Sequence, residues 1–149
     1  MYKSRFSTVV DIDKKIARCL ICERKCIMNP GSRGFCGNHV NIDGVIYDYG
    51  YGLISAVEPR PIEIKPLFHY YPGSWALTFS GWSCNFKCPW CQNYHLSMVN
   101  PFEVEEYRLT PASLVEQAVK LKQDGLCASF NEPTIHANFL IDVGLEALK

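Results

Sequence analysis

Trp75-Ala76-Leu77-Thr78-Phe79-Ser80-Gly81-Trp82-Ser83-Cys84-Asn85-Phe86-Lys87-Cys88-Pro89-Trp90-Cys91 is the stretch on which the reading of this chain turns. Residues 75–80 are nearly continuous apolar, the pattern of a strand buried on both faces. Three cysteines follow at once, spaced Cys-x3-Cys-x2-Cys. Downstream, Thr110 suits a helix N-cap and Pro111 the first helical position. Leu109 and Leu114 sit where a hydrophobic staple would place them. Leu114, Ala118 and Leu121 form an apolar face, with Gly125 as a natural stop. A second buried strand is expected over 126–130. Asn131-Glu132-Pro133-Thr134 then turns into a helix over 135–148. Strand, helix, strand, helix implies parallel pairing and an α/β class.

Upstream the pattern changes. Residues 1–40 are rich in Cys, Gly and Arg and short on periodicity, so a bound metal is expected to order them. Residues 40–47 read as a β-hairpin with Asp43-Gly44 as its two-residue turn. Residues 52–57 add a strand, which Glu58-Pro59-Arg60-Pro61 should end. Three segments follow: a Cys-rich metal-binding segment (1–40), a hairpin and linker (41–72), and a strand–helix segment (73–149). The expected fold is α/β: an N-terminal Cys-rich metal-organised segment plus hairpin, then two βα units, which the family resemblance given below implies are the first two of a partial TIM-type barrel. A full barrel needs about 250 residues, whereas this chain has 149. The chain is therefore expected to be the front part of such a barrel, with a second polypeptide as one way of completing it.

Formal net charge is zero, which argues against an electrostatic footprint for nucleic acid or an anionic membrane. No apolar run approaches the roughly 18 residues of a membrane span, and no secretory h-region follows Met1. A cytoplasmic chain without membrane contact is expected. In that setting eight cysteines in tight groups read as metal sites before disulfides.

Thiolates are soft ligands for iron–sulfur clusters or zinc. Three cysteines within one short loop can each bind a different iron of one cubane. The fourth iron is then open to a substrate, by the same logic that separates catalytic from structural zinc sites. The loop follows a parallel strand, at the rim where α/β proteins bind ligands, and Glu132 ends the next strand at the same mouth. Cys127 reads as a small residue of that second strand. Glu103, Glu105 and Glu106 read as a solvated loop face. Lys65, His69, His95 and His136 carry no assigned role, and His136 is expected at the surface in the first turn of the last helix.

The spacing resembles that of the radical S-adenosylmethionine enzymes. In detail the chain is similar to relatives of pyruvate formate-lyase activating enzyme, especially the radical protein of the AmmeMemoRadiSam system. The stretches that carry the resemblance are Cys19 to Cys36, Pro61-Ile62-Glu63, Lys65-Pro66-Leu67, Tyr71-Pro72-Gly73-Ser74, Cys84 to Asn93 and Asn131-Glu132-Pro133-Thr134. The resemblance implies that Cys84, Cys88 and Cys91 ligate a [4Fe–4S] cluster whose open iron chelates S-adenosylmethionine. It implies Trp90 beside the adenine, and Asn131 and Glu132 in the segment that holds the methionyl ammonium. One electron would split the sulfonium to give methionine and a 5′-deoxyadenosyl radical. An electron donor is an implied partner, and a glycyl-radical type protein is the suggested substrate, with another protein, a small molecule or an RNA base equally compatible; an enzyme of the oxidoreductase type is the implied class.

Cys19, Cys22, Cys26 and Cys36 form a second candidate site, which opens on a common structural-metal spacing. Zinc is favoured there over a second iron–sulfur cluster, and His39 is a possible substitute ligand. Two other functions fit the cysteines: an iron–sulfur electron carrier, which needs a fourth ligand, and a zinc-organised interaction module.

Overall fold

The computed structural model describes residues 1–105 and 107–149. Its strands are β1 (Tyr2–Lys3), β2 (Ser7–Asp11), β3 (Ile16–Cys19), β4 (Ile27–Met28), β5 (His39–Ile42), β6 (Val45–Asp48), β7 (Ile54–Pro61), β8 (Trp75–Gly81) and β9 (Gly125–Ala128). Its helices are α1 (Tyr94–Ser97), α2 (Pro111–Lys120) and α3 (Ala137–Ala147), with 3-10 turns at Ile62–Ile64 and Pro133–His136. The strands make three three-stranded sheets, ordered β1-β6-β5, β2-β3-β4 and β7-β8-β9.

This corrects the expected α/β fold with two opening units of a TIM-type barrel. The molecule is mostly β, and strands β1 to β7 all precede residue 62. Several of them are two to five residues long, too short to show a period against the cysteines and glycines between them. Strands β8 and β9 do pair in parallel, from Ala76↔Gly125 to Phe79↔Ala128. The other neighbour of β8 is antiparallel β7, so the strand–helix unit does not repeat around a barrel.

The hairpin of β5 and β6 turns at Asp43 and Gly44, whose φ angles of 50° and 89° suit a two-residue turn between twisted strands. Strand β7 runs on through Pro59 and Pro61 instead of ending before them. Among the described residues it is an edge strand, so a missing N–H on its outer side costs no ladder bond. Helix α2 starts as its sequence dictates. The Thr110 hydroxyl accepts from the Ser113 N–H, and the Ser113 hydroxyl accepts from the Thr110 N–H. It stops at Lys120, and Gly125 opens β9 instead of closing the helix. Strand β9 is half-buried, as an edge strand should be, where a fully buried one was expected.

Two cores result. Ile54, Leu77, Phe79, Leu114, Ala118, Phe139 and Val143 pack the β7-β8-β9 sheet against α2 and α3. Ala17, Cys19, Ile21, Met28 and Ile46 form a second cluster beneath the N-terminal strands. Beyond α1, Glu103 and Glu105 are exposed, and Glu106 lies outside the described residues. Among the described residues, no helix is long and apolar enough to cross a membrane.

The N-terminal strands meet α3 through one buried amide. Asn138 Nδ2 donates to Asp48 Oδ2 at 2.9 Å and to Ser4 Oγ at 3.2 Å, while its Oδ1 accepts from the Arg5 N–H at 3.1 Å. Arg5 also pairs with Asp142 at 2.5 Å, and the Tyr51 hydroxyl donates to the same carboxylate at 2.6 Å. Both Asn138 and Asp48 are almost fully buried. Replacing Asn138 by Ala strips a partner from a buried carboxylate and should lower stability by about 3 kcal/mol. Urea unfolding measures this, and a change under about 0.5 kcal/mol would contradict the account.

Candidate functional site

Strand β8 ends at Gly81, and the chain leaves it through Ser83, whose φ is 69°. The loop from Cys84 to Cys91 is closed at its base by the Ser83 N–H donating to the Leu96 carbonyl at 2.9 Å. Leu96 and Ser97 are buried and anchor α1 beneath it. Cys84 is buried, Cys88 and Cys91 are half-buried, and Phe86, Lys87, Pro89 and Trp90 face solvent. The Phe86 N–H donates to Cys84 Sγ at 3.4 Å, and Ser97 Oγ lies 3.2 Å from Cys91 Sγ. All eight cysteines are free thiols.

Two side-chain amides fasten this loop to the end of β9. Asn131 Nδ2 donates to the carbonyls of Gly81 at 2.8 Å and Ser83 at 2.6 Å, and its Oδ1 accepts from Ser80 Oγ at 3.2 Å. In return, Asn93 Nδ2 donates to the Phe130 carbonyl at 2.8 Å. Glu132 therefore stands beside the cysteine loop. Its Oε1 accepts from the Thr134 N–H at 3.0 Å and caps the 3-10 turn. Among the described residues Oε2 has no hydrogen bond. Trp90 is 83% exposed. Lys65 approaches the same rim, its Nζ 5.1 Å from the centre of the Phe130 ring. Burial lowers the Lys65 pKa, and the neighbouring Cys127 thiol partly offsets that. His69 and His95 are exposed.

His136 is the residue the sequence reading misplaced. It is buried, not at the surface, and its ring occupies the space that Gly81 leaves by having no side chain. A Cβ on Gly81 would stand 2.3 Å from His136 Cε1. A glycine closing a buried strand is the one signal that could have suggested such close approach. Burial pushes the His136 imidazole down to about 4, so the folded protein holds it neutral at physiological pH.

The four N-terminal cysteines are brought together as well. Cys19, Cys22, Cys26 and Cys36 line one cavity together with His39 and Asn85. Cys19 and Cys36 are buried, while Cys22 and Cys26 are half-buried. Burial pushes the Cys19 thiol up to about 12. Cys36 is also buried, but His39 Nδ1 lies 3.6 Å from its Sγ, and contact with that imidazole lowers its pKa overall. On the other side, His39 Nε2 faces Asp48 Oδ2 at 3.7 Å.

Among the described residues, no three His, Cys, Asp or Glu side chains converge closely enough to hold a single metal ion. A cubane cluster asks for a different arrangement, because each protein sulfur binds its own iron at a separate corner. Three free thiols on one loop, with an N–H directed at one sulfur and a hydroxyl against another, fit that donor set.

The chain matches no protein-family model, and no solved structure matches it. It is 40% identical over 136 residues to the uncharacterized protein MJ0808 of Methanocaldococcus jannaschii. That similarity takes in 91% of this chain and 41% of the relative, so the chain spans about two fifths of that protein's length.

A neutral buried imidazole makes stability depend on pH. The unfolded chain binds a proton at His136 near pH 6.5, and the folded chain does so only near pH 4. Stability should therefore fall as pH drops through that window, by up to about 1.4 kcal/mol per pH unit from this group. Urea titrations of wild type and His136→Leu between pH 7 and pH 5 test it. The slope should be shallower in the variant, and an equal slope would rule out His136 as its source.

Proposed function

We propose that Cys84, Cys88 and Cys91 hold a [4Fe–4S] cluster with one iron open to S-adenosylmethionine. On this reading the chain carries the cluster-bearing part of a radical enzyme related to pyruvate formate-lyase activating enzyme. The observation that supports it most is the pair of amide ties, Asn131 to Gly81 and Ser83 and Asn93 to Phe130. They set a three-thiol loop beside a carboxylate at the ends of two parallel strands.

When bound, the cluster supplies one electron to the cofactor sulfonium, giving methionine and a 5′-deoxyadenosyl radical. The remaining work falls to the chain. The Cys84 thiolate is steadied by the Phe86 N–H, and hydrogen bonds to ligating sulfur tune a cluster's potential. Glu132 keeps Oε1 on Thr134 and offers Oε2 to the methionyl ammonium, a charge-assisted hydrogen bond. Asn131 contributes position, because its amide is committed to strand carbonyls. Trp90 presents an open indole face on which adenine can stack. An external donor provides the electron, and a glycyl-radical type protein is the substrate class that the resemblance favours.

The chain reconstituted anaerobically with iron and sulfide should bind a cluster that each of Cys84→Ala, Cys88→Ala and Cys91→Ala abolishes. Adding S-adenosylmethionine should change the electron paramagnetic resonance spectrum of the reduced cluster. Glu132→Gln should raise the cofactor concentration needed by roughly 10- to 100-fold. A cluster whose spectrum ignores S-adenosylmethionine, in a preparation that yields no 5′-deoxyadenosine, would sink the proposal.

A further inference from the structure

The N-terminal cavity has a donor set of its own. Its lining carries four thiols, from Cys19, Cys22, Cys26 and Cys36, and no carboxylate. It has room at its centre for about one water-sized sphere, about 10 Å³. Cys19 ends β3, Cys22 and Cys26 lie on the turn that follows it, and Cys36 lies on a second turn closed by the Gly37 N–H donating to the Gly34 carbonyl at 2.8 Å. The Cys19 N–H donates to the Cys26 carbonyl at 3.0 Å, and the Lys25 N–H to the Cys22 carbonyl at 3.1 Å. His39, 1% exposed, lies against Cys36, and among the described residues its Nε2 has no hydrogen bond. A carboxylate–imidazole–thiolate line of this kind, Asp48 to His39 to Cys36, is the outer support that metal-bound ligands commonly have.

We propose that Cys19, Cys22, Cys26 and Cys36 close around one zinc ion as a tetrathiolate site, and that this knot braces the Cys84–Cys91 loop. Four soft donors with no open position describe a structural site, and zinc suits it because it accepts a tetrahedron of thiolates without redox chemistry. As placed, the four sulfurs line one cavity without converging on a single point, so binding of the ion has to draw them together. His39 stays outside the ligand set, where its N–H donates to Cys36 Sγ and offsets thiolate charge.

The brace is Arg24, which sits between Cys22 and Cys26 in sequence. Its Nε donates to the Asn85 carbonyl at 2.8 Å, and its guanidinium lies over the Phe35 ring at 3.6 Å. Asn85 directly follows Cys84 and also lines the cavity. Fixing Cys22 and Cys26 on one ion therefore fixes Arg24, and with it the start of the second cysteine loop. This inference does not depend on what that second loop binds.

The test uses the whole chain, purified without oxygen, beside a Cys84→Ala/Cys88→Ala/Cys91→Ala variant. Both should carry one zinc per chain by plasma emission. Cobalt(II) exchanged into the variant should give the spectrum of a tetrahedral tetrathiolate. Cys22→Ser/Cys26→Ser should lose the zinc. If that variant does not fold, the wild-type chain is stripped with a chelator under reducing conditions. Amide exchange over residues 84–91 should then rise by about ten-fold and recover when zinc is returned. Arg24→Ala should keep its zinc and show the same faster exchange. Iron with acid-labile sulfide in the triple variant, zinc retained by the double variant, or no metal in either preparation would overturn the site. Unchanged exchange in Arg24→Ala and after chelation would overturn the brace.

Discussion

The geometry of the cysteine loop depends on one amide. Asn131 Nδ2 gives its two hydrogens to the carbonyls of Gly81 and Ser83, at the point where β8 ends and the loop begins. The Ser83 carbonyl lies beyond the strand ladder, where leaving it unpaired is expensive, while the Gly81 carbonyl also accepts from the Ser55 hydroxyl at 2.8 Å. Because the amide that pairs them comes from the end of β9, satisfying them also brings the two strand ends together. The chain returns the tie with Asn93 on the Phe130 carbonyl. The segment that carries Glu132 is thereby tied to the start of the cysteine loop by backbone hydrogen-bond satisfaction.

A steric constraint accompanies that bond. The His136 ring fills the space above Gly81, within 3.5 Å of the Asn131 amide. One position thus has to lack a side chain so that another can pack, and a third must be an amide to bridge them. Burial keeps the imidazole neutral, so no fixed charge is added beside the cysteine loop. On the opposite flank Arg24 reaches Asn85 from the N-terminal cysteine turns. The loop is therefore held from both sides by groups lying at least 40 residues away in sequence while its outer residues remain in solvent.

The sequence was informative where the physics is local. The Asp43-Gly44 turn and the Thr110 cap with Pro111 each rest on residues within a few positions of one another, while the parallel pairing of β8 with β9 followed from the strand–helix–strand order of the elements. The cysteine spacing likewise identified both thiol groups, and the four early cysteines do share a cavity. What escaped was non-local. The expected barrel came with the family resemblance; a strand over 52–57 was expected too, but its run through Pro59 and Pro61 and its antiparallel pairing beside β8 could not be inferred from that stretch. Strands β1 to β4 were hidden by their brevity. The buried state of His136 depends on Gly81, which is 55 residues earlier and carries no periodic signal of its own. Asn131 stood out as a member of a cofactor-binding segment, yet its amide is spent on strand carbonyls. No single-residue property reveals that.

The join between Arg5, Asn138 and Asp142 orders events as the chain is made. Residues 5 and 142 are 137 positions apart, so the N-terminal strands cannot dock until α3 has left the ribosome. Synthesis at roughly 5–20 residues per second leaves an interval of several seconds during which both groups of thiols have been made but not enclosed. Their chemistry in that interval is governed by the reducing poise of the surroundings, before tertiary structure can protect them. How much of this protein reaches the folded state with its thiols reduced should therefore depend on the pace of its translation.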